Sequence, residues 1–414
     1  MRIDDLSIDR LAKTGEGVAT FEGRSIFVPS TLPGDRIKVR FDDRQAVLRG
    51  EVTEILEASA ARKTPPCAFV DRCGGCDWMH IRDDKQLQFK EEIVRSTLEH
   101  VGGIGRSDYE FRESIGASES LGYRRRATLH PSQGKFGFNV RRTHEIAAID
   151  LCVALVSGLA PLPGQLAVAL QSMSKDIAEV QLLEATGAVA ISVSLRSAMK
   201  PKHEAHANAL IHEGLVDGVV LTPASGAPAK CFGKVELDEA GVFLRPDAFA
   251  QANAEINRKL VDAAMILLEV DSTHSVLELY SGNGNFTLPL ARHAREVISV
   301  ESASVSVKLA HKALMHSKIE NVRLIEGDVD RTCRGLMIDG RRFSHLLLDP
   351  PRTGAPGCER WAESLGVDKI LYVACDPASL ARDAKALAHV GFRSKALQLV
   401  DLFPQTHHIE AVMS

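Results

Sequence analysis

Eight cysteines punctuate the chain, and three of them, Cys67, Cys73 and Cys76, fall within ten residues as Cys-x5-Cys-Gly-Gly-Cys. Thiols this close can converge on one metal centre, with Cys152 available as a fourth ligand. Gly74 and Gly75 let the backbone approach closely, so its N–H groups could donate to cluster sulfides, which favours an iron–sulfur cluster over tetrahedral zinc. Zinc sites more often use paired two-residue spacings, and only Cys73 and Cys76 have one. Buried free cysteines are the bland alternative. A further thiol, Cys375, follows the apolar run Ile370–Val373 and precedes a helix start at Pro377. The partial positive charge and free N–H groups of a helix N-terminus lower a thiol pKa, which makes Cys375 a candidate nucleophile. Glu410, beside an apolar strand pattern in the segment Asp401–Glu410, is its candidate base. A lone cysteine after a strand is more often inert core, and such a glutamate is usually solvated, so each signal needs the other.

A crevice for a small ligand is written into Val276–Phe286, where an apolar strand runs into Gly282-Asn-Gly284 and a helix follows. Glu301 ends the next strand pattern, and a carboxylate there can accept both hydroxyls of a ribose. The third glycine of a dinucleotide fingerprint is missing, with Phe286 and Thr287 in its place. That counts against a pyrophosphate cofactor and suits S-adenosylmethionine, which has no phosphate to cradle. Asp349-Pro350-Pro351-Arg352 ends another strand over the same crevice, and its prolines stiffen a loop that a planar substrate could enter. An ordinary strand-terminating turn is the alternative.

The elements that must position these groups follow from periodicity. Up to about residue 58, apolar and polar residues alternate over 18–21, 25–29, 36–41 and 47–55 with glycines between, the pattern of a small all-β barrel. Such barrels commonly bind RNA, and Arg36, Lys38 and Arg40 share one strand face; a solvated face is the plain alternative. An amphipathic helix is predicted over 83–100, then mixed strand and helix to about 248. Beyond 250, a helix over 251–268 and strands over 276–280, 297–301, 346–349 and 370–373 alternate with helical stretches, which implies a doubly wound parallel sheet. The expected division is a barrel of 1–58, a central α+β domain of 59–82 with 104–248, and an α/β domain of 83–103 with 249–414.

At 414 residues the chain has room for two or three domains, and 50 basic against 54 acidic residues give a net charge of −4. Disorder and fibrous classes are excluded by a 45% hydrophobic, 25% charged composition. No secretory leader or membrane span is read from the pattern, so the thiols are expected to be reduced and the chain cytoplasmic. The mild net acidity hides a basic strip, because Leu121–His144 holds Arg124, Arg125, Arg126, Lys135, Arg141 and Arg142 and no acid. Tyr123, Phe136 and Phe138 interleave it and would offer faces for splayed bases, an expected RNA contact; a solvated hairpin is the alternative.

Taken in order, Cys67-x5-Cys73-Gly-Gly-Cys76 with Cys152, Asn283-Gly-Asn285-Phe-Thr, Asp349-Pro-Pro-Arg, Cys375-Asp-Pro with Ala-Arg-Asp, and Phe403-Pro-x-Thr-x-His-x-Glu410 resemble the S-adenosylmethionine-dependent RNA uracil-5 methyltransferases. The likeness is to the iron–sulfur branch acting on 23S ribosomal RNA, with an N-terminal TRAM domain, and it runs from about residue 3 onward. It implies a Rossmann-like methyltransferase domain behind an OB-like barrel and an iron–sulfur domain. It implies that Cys375 adds to uracil carbon 6, that carbon 5 then takes the methyl group, and that Glu410 removes the carbon 5 proton. By similarity, Gln251, Tyr280, Asn285, Glu301, Asp328 and Asp349 contact the cofactor, and Cys67, Cys73, Cys76 and Cys152 hold a 4Fe-4S cluster that serves folding and RNA binding. RNA is the implied partner, 23S rRNA first and tRNA second, for a monomer. Two departures stand out: Asp376 replaces the usual asparagine, where an ionised carboxylate would disfavour the thiolate, and Asp328 stands where asparagine is also seen.

Two rival readings follow from the same residues. Asp349-Pro-Pro also suits methylation of an exocyclic amino group on adenine or cytosine, although Arg352 sits where such enzymes place an aromatic residue. A non-catalytic RNA-binding or redox-sensing cluster protein would bind RNA without methylating it.

Overall fold

The computed structural model of the chain describes residues 2–414. The expected barrel strands form as Gly17–Phe21, Arg24–Val28, Arg36–Phe41 and Leu48–Glu57. Arg2–Ser7 and Arg10–Leu11, which the pattern did not reveal, complete the six-stranded sheet. Alternation turns Ile37, Val39 and Phe41 inward against Ile26 and Val28, all essentially inaccessible to solvent. Arg36, Lys38 and Arg40 do share the outer face, but each is matched by a carboxylate. Arg36 pairs with Glu57 at 2.6 Å and Asp5 at 2.8 Å, Lys38 with Glu54 at 2.8 Å and Arg40 with Glu51 at 2.6 Å. The face is therefore a solvated ladder of ion pairs, each worth little in high dielectric, and not an unpaired basic surface.

The central part is a seven-stranded sheet in the spatial order Ile146–Ala148, Lys135–Asn139, Arg126–Ser132, Ile177–Ala185, Ala188–Leu195, Gly218–Thr222 and Lys230–Gly233. Helices Leu162–Ala169 and Pro201–His212 supply Leu162, Leu166, Ala207 and Leu210 to its core. This core absorbs the aromatic residues expected to stack RNA bases. Phe136 is fully buried, Tyr123 is buried with its hydroxyl donating to Pro404 O at 2.9 Å, and Phe138 packs against the same cluster. The arginines are likewise engaged: buried Arg125 pairs with Glu239, and Arg142 pairs with buried Glu16 at 2.5 Å. Phe136 and Phe138, two residues apart on one strand, share its inward face, while Lys135 and Arg142 stay exposed.

The third part is an eight-stranded sheet ordered Val322–Glu326, Glu296–Glu301, Ser275–Leu279, His345–Leu348, Lys369–Ala374, Glu410–Met413, Ala396–Val400 and Glu110–Phe111. The first five run parallel, and the inner four are buried almost throughout, as expected of strands covered on both faces. Glu410–Met413 is inserted antiparallel between Lys369–Ala374 and Ala396–Val400. The strand Ser275–Leu279 is flanked by Glu296–Glu301 on one side and His345–Leu348 on the other, so a crevice opens at its carboxyl end where the chain switches direction of travel across the sheet. The expected helix over 83–100 forms as Asp83–Thr97, continues as a wider turn over Leu98–Gly102, and packs on the helix Pro377–His389. No helix among the described residues is long and apolar enough to cross a membrane.

Candidate active site

Antiparallel pairing sets Ala374 opposite Ala411, so the next residues along each strand, Cys375 and Glu410, emerge side by side at the sheet's edge. Both line one cavity of about 1630 Å³, together with Gln251, Tyr280, Asn285, Glu301 and Asp349. Seven of the eight residues expected to act on substrate or cofactor thus share one space. Asp328 lies outside it: exposed, it caps the helix Val329–Ile338 and accepts the Arg331 N–H at 2.9 Å.

The turn after Ser275–Leu279 is built for a ligand. Tyr280 and Gly282 both adopt positive φ, and a Cβ added at Gly282 would meet only open space. Glu301 accepts the Gly282 N–H at 2.9 Å and the Ala303 N–H at 2.7 Å, which leaves lone pairs on a fixed carboxylate for two further donors such as ribose hydroxyls. Asn285 is held by Asn257 through reciprocal amide hydrogen bonds of 2.9 and 3.0 Å. Gln251 is placed through its carbonyl, which accepts from Arg125 Nε at 2.8 Å. Burial, then the nearby Glu301 charge, pushes the Asp349 carboxyl up to about 7. An acidic pocket of this kind fits a sulfonium better than a pyrophosphate.

Cys375 does not have the low pKa its place before a helix suggested. Burial first, then Glu410 and Asp349, push its thiol up to about 12, and Arg352 is the side chain that opposes them. The helix terminus is already occupied, since Asp376 Oδ1 accepts from Ala378 N at 3.0 Å and Ser379 N at 2.9 Å. Asp376 also faces Lys13 of the barrel at 3.6 Å, so the unexpected carboxylate serves as cap and ion partner. Glu410, buried, is raised well above the ordinary carboxylate range by burial and Asp349, again opposed by Arg352.

The loop leading to Glu410 is gripped from three sides. The fully buried Lys90 donates to Asp401 at 2.7 Å and Phe403 O at 2.9 Å, and Gln86 accepts the Gln405 N–H at 2.7 Å. Asp77, next to Cys76, accepts the His407 N–H at 3.0 Å and faces His407 Nδ1 at 2.6 Å. His408 then forms a wall shared by the large cavity and a second one of about 270 Å³.

Cys67, Cys73, Cys76 and Cys152 all line that second cavity, with Arg124 beside them. Among the described residues, no three Cys, His, Asp or Glu side chains converge tightly enough to hold a single metal ion. Thiols spread around a space suit a centre that brings its own bridging sulfides. Backbone donors are in place, with Phe69 N and Gly75 N each 3.4 Å from the sulfurs of Cys67 and Cys73.

The family model for tRNA (Uracil-5-)-methyltransferase matches residues 242–413, which carry this whole cavity except Arg125, Glu239 and Ala240. Along its full length the chain is similar to the 23S rRNA (uracil(1939)-C(5))-methyltransferases RlmD of Pseudomonas putida, 32% identical, and Pseudomonas entomophila, 33% identical. Each alignment covers 98% of this chain and 92% of the relative. The chain belongs to the S-adenosylmethionine-dependent RNA uracil-5 methyltransferases. The same fold occurs in the tRNA (uracil-54, C5)-methyltransferase of Pyrococcus abyssi, solved with S-adenosyl-L-homocysteine, at a TM-score of 0.74 and 22% identity over 99% of both chains.

Three further residues shape this RNA methyltransferase's site, although sequence reasoning gave none of them a part in the covalent route. Arg352 was visible only as the end of a proline turn, yet it is the cation acting on both Cys375 and Glu410. His408 stacks near Arg352, whose Nη2 lies 3.3 Å from its Nδ1, and Asn257 holds Asn285. Arg352 and His408 stand within sequence motifs and Asn257 within none, but no local spacing says what they touch, because each works through a partner distant in sequence.

Proposed function

We propose that this chain methylates carbon 5 of a uridine in 23S ribosomal RNA, with Cys375 as nucleophile and Glu410 as base. The observation that carries the reading is the adjacency of Cys375 and Glu410 at the mouth of a pocket that also holds Glu301 and Asp349. The full-length likeness to RlmD proteins supports the ribosomal target over tRNA. Gln251, Tyr280, Asn285, Glu301 and Asp349 would hold S-adenosylmethionine, which when bound supplies an electrophilic methyl on a sulfonium whose charge favours the ionised forms of the surrounding acids. Asp328, outside the cavity, is left out of this set.

Uracil carbon 5 is a poor nucleophile. The Cys375 thiolate adds to carbon 6, and the carbon 5–carbon 6 π electrons move onto the carbon 4 oxygen as an enolate. Carbon 5, now electron-rich, takes the methyl group. Glu410, ionised, receives the proton from carbon 5, the double bond re-forms, and Cys375 leaves as thiolate. Arg352 favours the ionised state of both groups throughout.

The test is methyl transfer from labelled cofactor to 23S rRNA fragments and to tRNA. Label in 5-methyluridine of the 23S fragment is expected. Label in tRNA alone overturns the target, and label in an exocyclic amino group of adenine or cytosine overturns the chemistry.

The cluster belongs to the same reading. Cys67, Cys73, Cys76 and Cys152 would hold a 4Fe-4S centre as thiolates, its iron displacing the protons that burial favours on thiols such as Cys76, pushed up to about 12. Protein prepared without air is expected to be brown, to contain iron and sulfide in equal amounts, and to bleach on oxidation; Cys76→Ala should lose the colour. A colourless zinc protein refutes the assignment. The domain division is carried within this proposal, with the barrel of 1–58 as a TRAM domain and a cytoplasmic monomer as the working form. Within it we assign 104–117 to the methyltransferase domain instead of the central one, a reading supported by the pairing of Glu110–Phe111 with Ala396–Leu397 and of Ile115 with Val400.

A further inference from the structure

The loop Asp349–Ala355 brings Arg352 to the reacting groups, yet it has no regular structure of its own. Its anchors come from the helix Pro377–His389, which begins two residues after Cys375. Arg382 Nη2 donates to Thr353 O at 2.7 Å, and Asp383 Oδ2 accepts the Ala355 N–H at 2.7 Å. The same oxygen accepts the Tyr372 hydroxyl at 2.7 Å, while Oδ1 accepts Arg382 Nε at 2.8 Å. Tyr372 belongs to the strand Lys369–Ala374 that delivers Cys375. Burial and the Asp383 carboxylate push its phenol up, so it stays a donor. One buried carboxylate therefore ties together the nucleophile's strand, the nucleophile's helix and the loop of Arg352.

The contact leaves no slack. Gly354, at φ +77°, lies so close to the helix that a Cβ there would come within 2.4 Å of both Arg382 Nη2 and Asp383 Oδ2. Asp383 itself does not line the cavity. It touches neither substrate nor cofactor and can act only through what it holds.

We infer that Asp383 is a positioning residue for methyl transfer, fixing the Arg352 loop relative to Cys375. The inference rests on Cys375 being the nucleophile, as proposed above. Arg352 is the side chain that offsets burial, Glu410 and Asp349 at the Cys375 thiol, so a loop released from Asp383 leaves the thiol harder to ionise. A purely structural role for Asp383 would lower stability without changing that ionisation.

The experiment measures alkylation of Cys375 by iodoacetamide from pH 8 to 10, read on the tryptic peptide Ile370–Arg382, where Cys375 is the single cysteine. In Asp383→Asn the rate at a given pH should fall about tenfold, as a rise of about one pH unit in the thiol's ionisation dictates. Tyr372→Phe, which removes the 3.1 Å bond from the Ala355 N–H to the phenol but leaves the 2.7 Å bond to Asp383 in place, should cause a smaller fall and keeps the test available should the Asp383 variant not fold. Affinity for S-adenosylhomocysteine should stay within about twofold, since Glu301 and the Gly282 turn are untouched. An unchanged alkylation profile in folded Asp383→Asn overturns the inference. Alkylation does not depend on Cys375 being the nucleophile, so its outcome is separate from methyl transfer by Cys375→Ala, whose retention would overturn the reading beneath it.

Discussion

Cys375→Ala should abolish methyl transfer to RNA, with kcat reduced by about 10⁴-fold or more, a loss of the size seen when a covalent nucleophile is removed. Without the thiolate at carbon 6, no electron density reaches carbon 5, and nothing else in the cavity can supply it. The substitution removes a half-buried sulfur at a strand end, so the sheet and the Glu301 site should persist, and cofactor affinity should match the parent protein. Transfer of labelled methyl is the measurement, and a variant that still methylates uridine would falsify the covalent route. The parent enzyme carries a corollary in its pH dependence. Its thiol is pushed up to about 12, so below that the thiolate fraction, and with it the rate of addition, grows with rising pH.

Glu410→Gln should stop turnover at a different place. Carbon 6 addition and methyl transfer can still occur, but the carbon 5 proton has no acceptor, and elimination of Cys375 waits on its removal. An RNA–protein adduct should accumulate and survive on a denaturing gel, while release of 5-methyluridine falls about 10³-fold. Glutamine fills the same buried volume opposite Val400, and so the strand Glu410–Met413 should hold its place. A folded variant that shows neither adduct nor lost turnover removes Glu410 from the role of base. The two substitutions are told apart by the adduct, which Cys375→Ala cannot form.

Much of the parallel sheet was legible because buried strands are written as runs of branched apolar residues: Val276–Leu279, Val297–Val300, Leu346–Leu348 and Ile370–Val373 all fall within observed strands. Val322–Glu326 was not legible. It is an edge strand with Arg323 and Glu326 exposed, and its pattern carries no clean period. Arg10–Leu11 and Glu110–Phe111 are two residues each and exist only because a neighbouring strand pairs with them. Charge patterning left the partners of the arginines open for a related reason. A run of arginines reads the same whether its partners are phosphates or carboxylates of the same chain, and Glu239 and Glu16 lie about a hundred residues away from the arginines they hold.

The sequence by itself determined the chemistry available: which thiols could be nucleophile or ligand, which carboxylates stand at strand ends, and a ligand turn that lacks the third glycine of a dinucleotide fingerprint. Residue type and local spacing are enough for that, because a reactive group and the turn that presents it are neighbours in the chain. Tertiary structure alone decided how those groups act on one another. Glu410 meets Cys375 only through an antiparallel strand inserted into a parallel sheet. Burial then outweighs the helix terminus and raises the thiol's pKa, Arg352 opposes it, and Asp383 holds the loop that brings Arg352 there. Electrostatic effects depend on distance and dielectric, and neither exists until the chain has folded.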